Sequence, residues 1–273
     1  MIEFLLQPFQ FPFMRNAFWI ALIVAPPTAL LSCFLVLKGW ALMGDAVSHA
    51  VLPGIVLAWL AGLPLLIGAF AAGLGAALLT GYLADNSRVK RDTAMGVVFS
   101  GMFAAGIVLY TAFPSEWHLD HILFGNMLGV GAEDLRTSAL IAAPVTLILA
   151  LKWRDLMLHA FDPVQARVSG LPTGLLHYGL LAILALTIVA TLTSVGLILA
   201  IGLLIAPGAI AFLLTRSFGA MLVAATLVCL LAMIGGVWAS FHLNSAPAPT
   251  VILILTGMFG AAFLHRTIRG RTA

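Results

Sequence analysis

Apolar runs close to one bilayer thickness recur along the chain, separated by short polar clusters, and this alternation sets the fold. The runs extend from Ala17 to Leu37, Gly44 to Gly62, Leu65 to Ala84, Ala94 to Phe113, Leu135 to Leu151, Leu175 to Thr193, Gly196 to Thr215, Gly219 to Trp238 and Thr250 to Leu264. A stretch of roughly 20 apolar residues crosses a hydrocarbon core as helix, because every backbone N–H and C=O must be satisfied internally there. The pattern predicts an all-α, polytopic transmembrane helical bundle that takes up residues 1–273 as one domain, with nine crossings. Eight is the alternative count: Gly62-Leu63-Pro64 has to supply a whole turn, and Ser194-Val195-Gly196 can instead be read as a break inside one span. Pro26-Pro27, Pro144 and Pro207 fall inside runs, where kinks or half-helices are expected.

Composition agrees: 62% of the 273 residues are hydrophobic and 8% charged, against about a quarter charged in soluble domains. No stretch is polar enough for a water-soluble domain. Lys38, Arg88, Lys90, Arg91, Lys152, Arg154, Arg167, Arg216, Arg266, Arg269 and Arg271 fall on one side of the bundle and only Arg15 and Arg136 on the other. The positive-inside rule makes the first side cytoplasmic, so the N-terminus is expected outside, the C-terminus inside and the loop from Pro114 to Glu133 outside. The net charge of +3 is read as topology rather than as affinity for nucleic acid. Met1 to Phe18 has no early basic residue and no small-residue cleavage site, so it is expected to stay attached. Cys33 and Cys229 lie in separate apolar runs and are read as packing residues. Gly and Ala recur within the spans, as in Ala71-Ala72-Gly73 and Gly235-Gly236, which lets helices approach closely.

Candidate chemistry concentrates in Met43-Gly44-Asp45-Ala46-Val47-Ser48-His49-Ala50-Val51-Leu52-Pro53-Gly54, where a carboxylate and an imidazole stand four residues apart at the head of an apolar helix. That spacing puts both on one helix face. Ionisable groups inside a membrane cost several kcal/mol unless paired or facing water, which makes the pair a functional candidate. Carboxylate oxygen with neutral imidazole suits first-row ions such as manganese, iron or zinc better than calcium. An even alternative is that Asp45 caps the helix N-terminus while His49 bonds a neighbouring carbonyl. Two ligands make an incomplete site, which suits an ion that must leave as readily as it enters.

The same stretch, Ala41 to Gly54, resembles the signature of the ABC-3 family of metal permeases. Three further segments match in order: Leu119 to Asn126, Phe161 to Gly170, and Val195-Gly196-Leu197-Ile198-Leu199 through Ala206-Pro207-Gly208-Ala209. The resemblance covers nearly the whole chain. It implies a type II ABC importer-like permease in the inner (plasma) membrane, with no permanently bound cofactor and manganese, iron or zinc as cargo. It also implies as partners a second permease copy or a close paralogue, two cytoplasmic ATP-binding subunits, and a periplasmic or lipoprotein metal-binding protein. Asp45 and His49 take the metal-ligand role by this match. Phe161, Asp162, Ala166, Arg167 and Gly170 fall in what looks like a cytoplasmic coupling helix, about residues 161–171, with Asp162 and Arg167 as polar docking contacts. Manganese is favoured because the overall pattern looks closest to that branch.

The outward loop adds Glu116, His118, Asp120 and His121; Asp120 and His121 match the family pattern and are secondary metal candidates, with gating or docking of the binding protein the favoured role. His242 faces outward where relatives often have an acidic residue nearby that is missing here. His177 is placed in the bundle interior or near the cytoplasmic headgroups, and His159 with Asp155 on a solvated face. No Gly-Lys pair occurs anywhere, so the chain has no Walker A loop and its energy must come from a partner. An intramembrane metalloenzyme is disfavoured because the two ligand clusters lie about a membrane thickness apart and no HExxH or GxSxG occurs. An ion-coupled secondary transporter would need more buried charge and internal repeats.

Overall fold

The computed structural model describes residues 7–113 and 125–271. Its α-helices are α1 (Pro12–Leu37), α2 (Met43–Ala50), α3 (Leu52–Leu60), α4 (Leu65–Asn86), α5 (Arg91–Ala112), α6 (Ala132–Leu151), α7 (Trp153–Phe161), α8 (Pro163–Val168), α9 (Thr173–Val195), α10 (Leu197–Leu214), α11 (Phe218–Leu243) and α12 (Pro247–Arg271). Among the described residues there is no strand, and nine segments are long and apolar enough to cross a membrane, with α2 and α3 together forming the second.

Helix α1 is the hub. Its Ala17, Ile20, Ala21, Ala25, Leu31, Phe34 and Leu35 have no measurable exposure, and α6, α10 and α11 pack around it, with α12 closing behind α10 and α11. The broken span α2–α3 packs with α4 and α5, and α9 joins this group to the first. Hydrophobic burial gives little drive between helices that lie in lipid, so close van der Waals approach has to hold them. The crossing of α3 and α4 shows this most directly: a Cβ on Gly54 would overlap the Gly68 carbonyl, and a Cβ on Gly68 the Gly54 carbonyl. Cys33 and Cys229 are buried and unpaired, as expected of packing residues.

Polar contacts supplement this packing sparingly. The hydroxyls of Ser138 on α6 and Ser194 on α9 lie 2.6 Å apart, fully buried. A Ser138→Ala/Ser194→Ala double-mutant cycle is expected to give a coupling of about 0.6 kcal/mol, since membrane-embedded hydrogen bonds average near that value; thermal unfolding in detergent would measure it.

Two local features decide between the alternatives the sequence left open. Pro26, Pro27, Pro144 and Pro207 all sit inside continuous helices rather than dividing them. The division comes at Val51, between α2 and α3, where Pro53 opens the second helix. Ser194-Val195-Gly196 is no break within a span: Gly196, at φ +83°, ends α9 and starts α10. The chain reverses there, because α9 begins near Trp40 just beyond the end of α1, and α10 returns to the same end, with Gly208 against Ser32. Only glycine reaches that φ without strain.

The two ends of the bundle differ in charge. Lys38 and Trp40 follow α1 at one end, where Trp153 and Arg154 stack and Arg266 reaches the Phe212 carbonyl at 3.5 Å. At the other end Asn16 donates to the Val130 carbonyl at 2.9 Å and Phe11 packs on Phe241. The basic side chains thus collect at one end, as the charge pattern predicts.

Candidate metal pathway

The start of the second span is built to hold a carboxylate and an imidazole side by side. Met43, Gly44, Ala46, Val47, Ser48 and Ala50 of α2 are buried, and Gly44 and Gly73 let Leu204, Val47 and Val51 close in around the helix. Asp45 and His49 are the two positions of α2 left half-open, with 35% and 25% of their side chains exposed. That exposure decides their availability: both can be reached from beside the helix. Pro53 has no N–H, so the carbonyl of His49 loses its i+4 donor, leaving a main-chain oxygen next to the pair. The proline was visible in the sequence, but its consequence for this carbonyl was not drawn from it.

His49 Nε2 lies 3.3 Å from Asp45 Oδ1. A charge-assisted hydrogen bond closes to about 2.7–2.9 Å, whereas two ligands bound at roughly 2.0–2.2 Å to one ion stand about 3.1–3.5 Å apart. The observed spacing is longer than a tight ion pair and leaves room for an ion shared between the two groups. The imidazole lies against Phe99 and Phe103 of α5, at centroid distances of 5.7 and 5.1 Å, which restrict how the ring can turn. Its Nδ1 is buried with no hydrogen-bond partner among the described residues.

The capping alternative is therefore not what the geometry shows. Leu42 occupies the N-cap with no side-chain hydrogen bond, and among the described residues His49 Nδ1 has no partner while Nε2 faces Asp45. Among the described residues no third His, Cys, Asp or Glu joins the pair. Asp120 and His121, with Glu116 and His118, lie outside the described residues. His242 packs on Trp238 at 4.3 Å, near the end of α11.

A second candidate element lies at the basic end. Asp162 Oδ1 accepts from the N–H groups of Val164 and Gln165 at 3.0 and 2.9 Å, and Pro163 takes the first turn of α8. Gly170, at φ +77°, ends the turn as the Leu171 N–H returns to the Ala166 carbonyl at 3.0 Å. Asp162 thus spends one carboxylate oxygen on capping, a role its position before Pro163 explains. Ala166 is buried, Arg167 is exposed, and Phe161, Val164 and Val168 stand 80, 73 and 77% exposed. Asp162→Ala should cost about 1 kcal/mol of local helix stability, to be read as faster amide exchange across residues 163–168.

His159 departs from expectation more sharply. It is only 5% exposed, inward on α7 beside Leu156, while Asp155 turns out to Lys152 at 3.2 Å. A period of three along a short amphipathic helix is the signal that could have placed it. His177 packs edge-on against Trp40 at 5.5 Å.

The sequence profile of the ABC 3 transport family matches residues 10–266. The chain is 53% identical to the chelated iron transport system membrane protein YfeD of Yersinia pestis, over 96% of this chain and 89% of that protein. It is 44% identical to the manganese transport system membrane protein MntB of Synechocystis, over 96% and 86% of the two chains. Among solved structures, PsaBC from Streptococcus pneumoniae in complex with Fab superposes with a TM-score of 0.86 at 35% identity, covering 96% of this chain and 95% of that one. The chain belongs to the ABC 3 transport family, as a multi-pass membrane permease of a metal transporter.

Proposed function

We propose that this chain is the membrane-spanning subunit of an ATP-driven importer for a divalent transition-metal ion, manganese first with iron and zinc next, whose path passes between Asp45 and His49. The observation that carries the proposal is the half-open carboxylate–imidazole pair, 3.3 Å apart at the head of a broken span. Similarity to manganese and chelated-iron transport proteins supports the cargo class. ATP is hydrolysed on separate cytoplasmic subunits, two per transporter, and a metal-binding protein delivers the ion from outside.

A second permease copy, or a close paralogue, covers the open side of the pair and contributes the remaining ligands. Left facing acyl chains, the two polar groups would cost several kcal/mol, and α4 and α5 beside them are largely exposed along their length. The basic end is cytoplasmic by the positive-inside rule, which places α8 where an ATPase can grip Phe161, Val164 and Val168. Closure of the ATPase on nucleotide then moves the bundle as rigid bodies between outward- and inward-open states.

Uptake of radioactive manganese, iron and zinc by vesicles containing the assembled transporter tests the proposal. Manganese is expected to be taken up fastest and only with ATP on the ATPase side; uptake without ATP, or of none of the three ions, would overturn it.

A further inference from the structure

Beyond the carboxylate–imidazole pair, two imidazoles meet at the basic end, where α7 packs against the start of α9. His159 is 5% exposed, and neither of its ring nitrogens has a hydrogen-bond partner among the described residues. Burying a polar ring without a partner costs on the order of 1–3 kcal/mol, which packing alone does not require at a position that leucine would fill. This ring lies beside the half-exposed ring of His177, with centroids 6.1 Å apart and the ring planes at 78°. Two imidazoles that share a metal through nitrogen bonds of roughly 2.0–2.1 Å have ring centres up to about 6.5 Å apart.

We propose that His159 and His177 form a second, low-affinity site for a divalent transition-metal ion at the basic end, and that its occupancy acts on the α7–α8 segment. Water fills the remaining coordination positions, because no third His, Cys, Asp or Glu is grouped with them among the described residues. Burial, then the charge of Lys38, then His177 disfavour a positive charge on the His159 ring. Lys38, whose ammonium lies 4.6 Å over the Trp40 ring, opposes a dication as it opposes a proton. The site therefore fills only when metal has accumulated.

Its position gives that filling a consequence. His159 is three residues before Asp162, the cap of α8, and His177 lies in the first turns of α9. An ion between them ties the segment that enters α8 to the helix that leaves it. Import slowed by its own product is the expected outcome; this regulatory half rests on the proposed docking of an ATPase at α8, whereas the binding half does not.

The test uses the purified permease–ATPase complex in lipid nanodiscs, with the permease carrying His49→Gln so that the pathway pair does not contribute. Equilibrium dialysis against zinc alone, and cobalt alone with its visible absorption, is expected to reveal one ion per permease chain. Affinity should drop at least tenfold with His177→Gln, at a half-exposed position that tolerates replacement, and equally with His159→Gln. Unchanged binding in the His177→Gln protein would overturn the site. For regulation, ATPase activity with His49 intact should fall as zinc is raised, and stay level with His177→Gln; equal inhibition of both would overturn the regulatory role. Neither arm depends on whether Asp45 carries cargo.

Discussion

Replacing Asp45 by alanine is expected to abolish metal uptake while the permease still inserts, dimerises and binds its ATPase. The carboxylate is 35% exposed, caps no helix and pairs with His49, one turn away. The fold therefore loses little when it is removed. The ion loses one of the two side-chain ligands that the chain offers, and because loss of a group that merely orients a ligand already costs 10–100-fold, uptake should fall by at least about a hundredfold. Asp45→Glu is expected to retain part of the activity, since the charge survives but its oxygen shifts by a methylene. The check is ATP-dependent uptake in vesicles together with co-purification of the ATPase. Normal uptake by Asp45→Ala would remove the carboxylate from the pathway; lost co-purification would show that its role is structural.

The largest effect on stability is expected at the crossing behind this pair. Gly54 and Gly68 bring the backbones of α3 and α4 into contact, and the space for a Cβ on either is already taken by the other's carbonyl and by Ala72 or Ala58. Gly68→Val has to force the helices apart along the span that carries Asp45 and His49. Overpacking a dense core costs typically 1–3 kcal/mol, and since main-chain atoms cannot rotate away, about 3 kcal/mol or more is expected here. Size-exclusion chromatography after heating should show a markedly lower midpoint, with reduced yield of folded protein. Gly75→Ala, about two helix turns further along α4 with open space around it, is the control and should leave the midpoint within a degree or two.

Most of the architecture was legible because it rests on a strong local rule. A bilayer demands unbroken apolar helices, so the expected spans agree with the helices that form, to within a few residues at their ends. The pathway pair was legible for a similar reason: Asp45 and His49 are neighbours through helix geometry alone, whatever packs around them. Features that depend on a second element were less so. Phe99 and Phe103, which set the His49 ring, lie some fifty residues on and carry no sequence mark to distinguish them from lipid-facing phenylalanines. His159 was read as solvated because its neighbours Arg154 and Asp155 are charged, yet α7 turns Leu156 and His159 inward. Asp162 was named for docking, and its capping role went unread although Asp before Pro is an N-cap pattern and the carboxylate serves as one. The split at Val51 had its signal in Pro53, but Pro26, Pro27, Pro144 and Pro207 carry the same signal inside unbroken helices; the packing around each proline decides, and a single sequence does not contain it.

Electron spin echo spectroscopy of manganese held by the assembled transporter bears most directly on whether the ion passes between Asp45 and His49. A bound Mn2+ ion should show nitrogen modulation from a directly ligated imidazole, and the modulation should vanish in the His49→Gln protein while persisting in His159→Gln and His177→Gln. Nitrogen modulation undiminished by His49→Gln, or no manganese bound at all in a transporter that is active in uptake, would contradict the placement of the path.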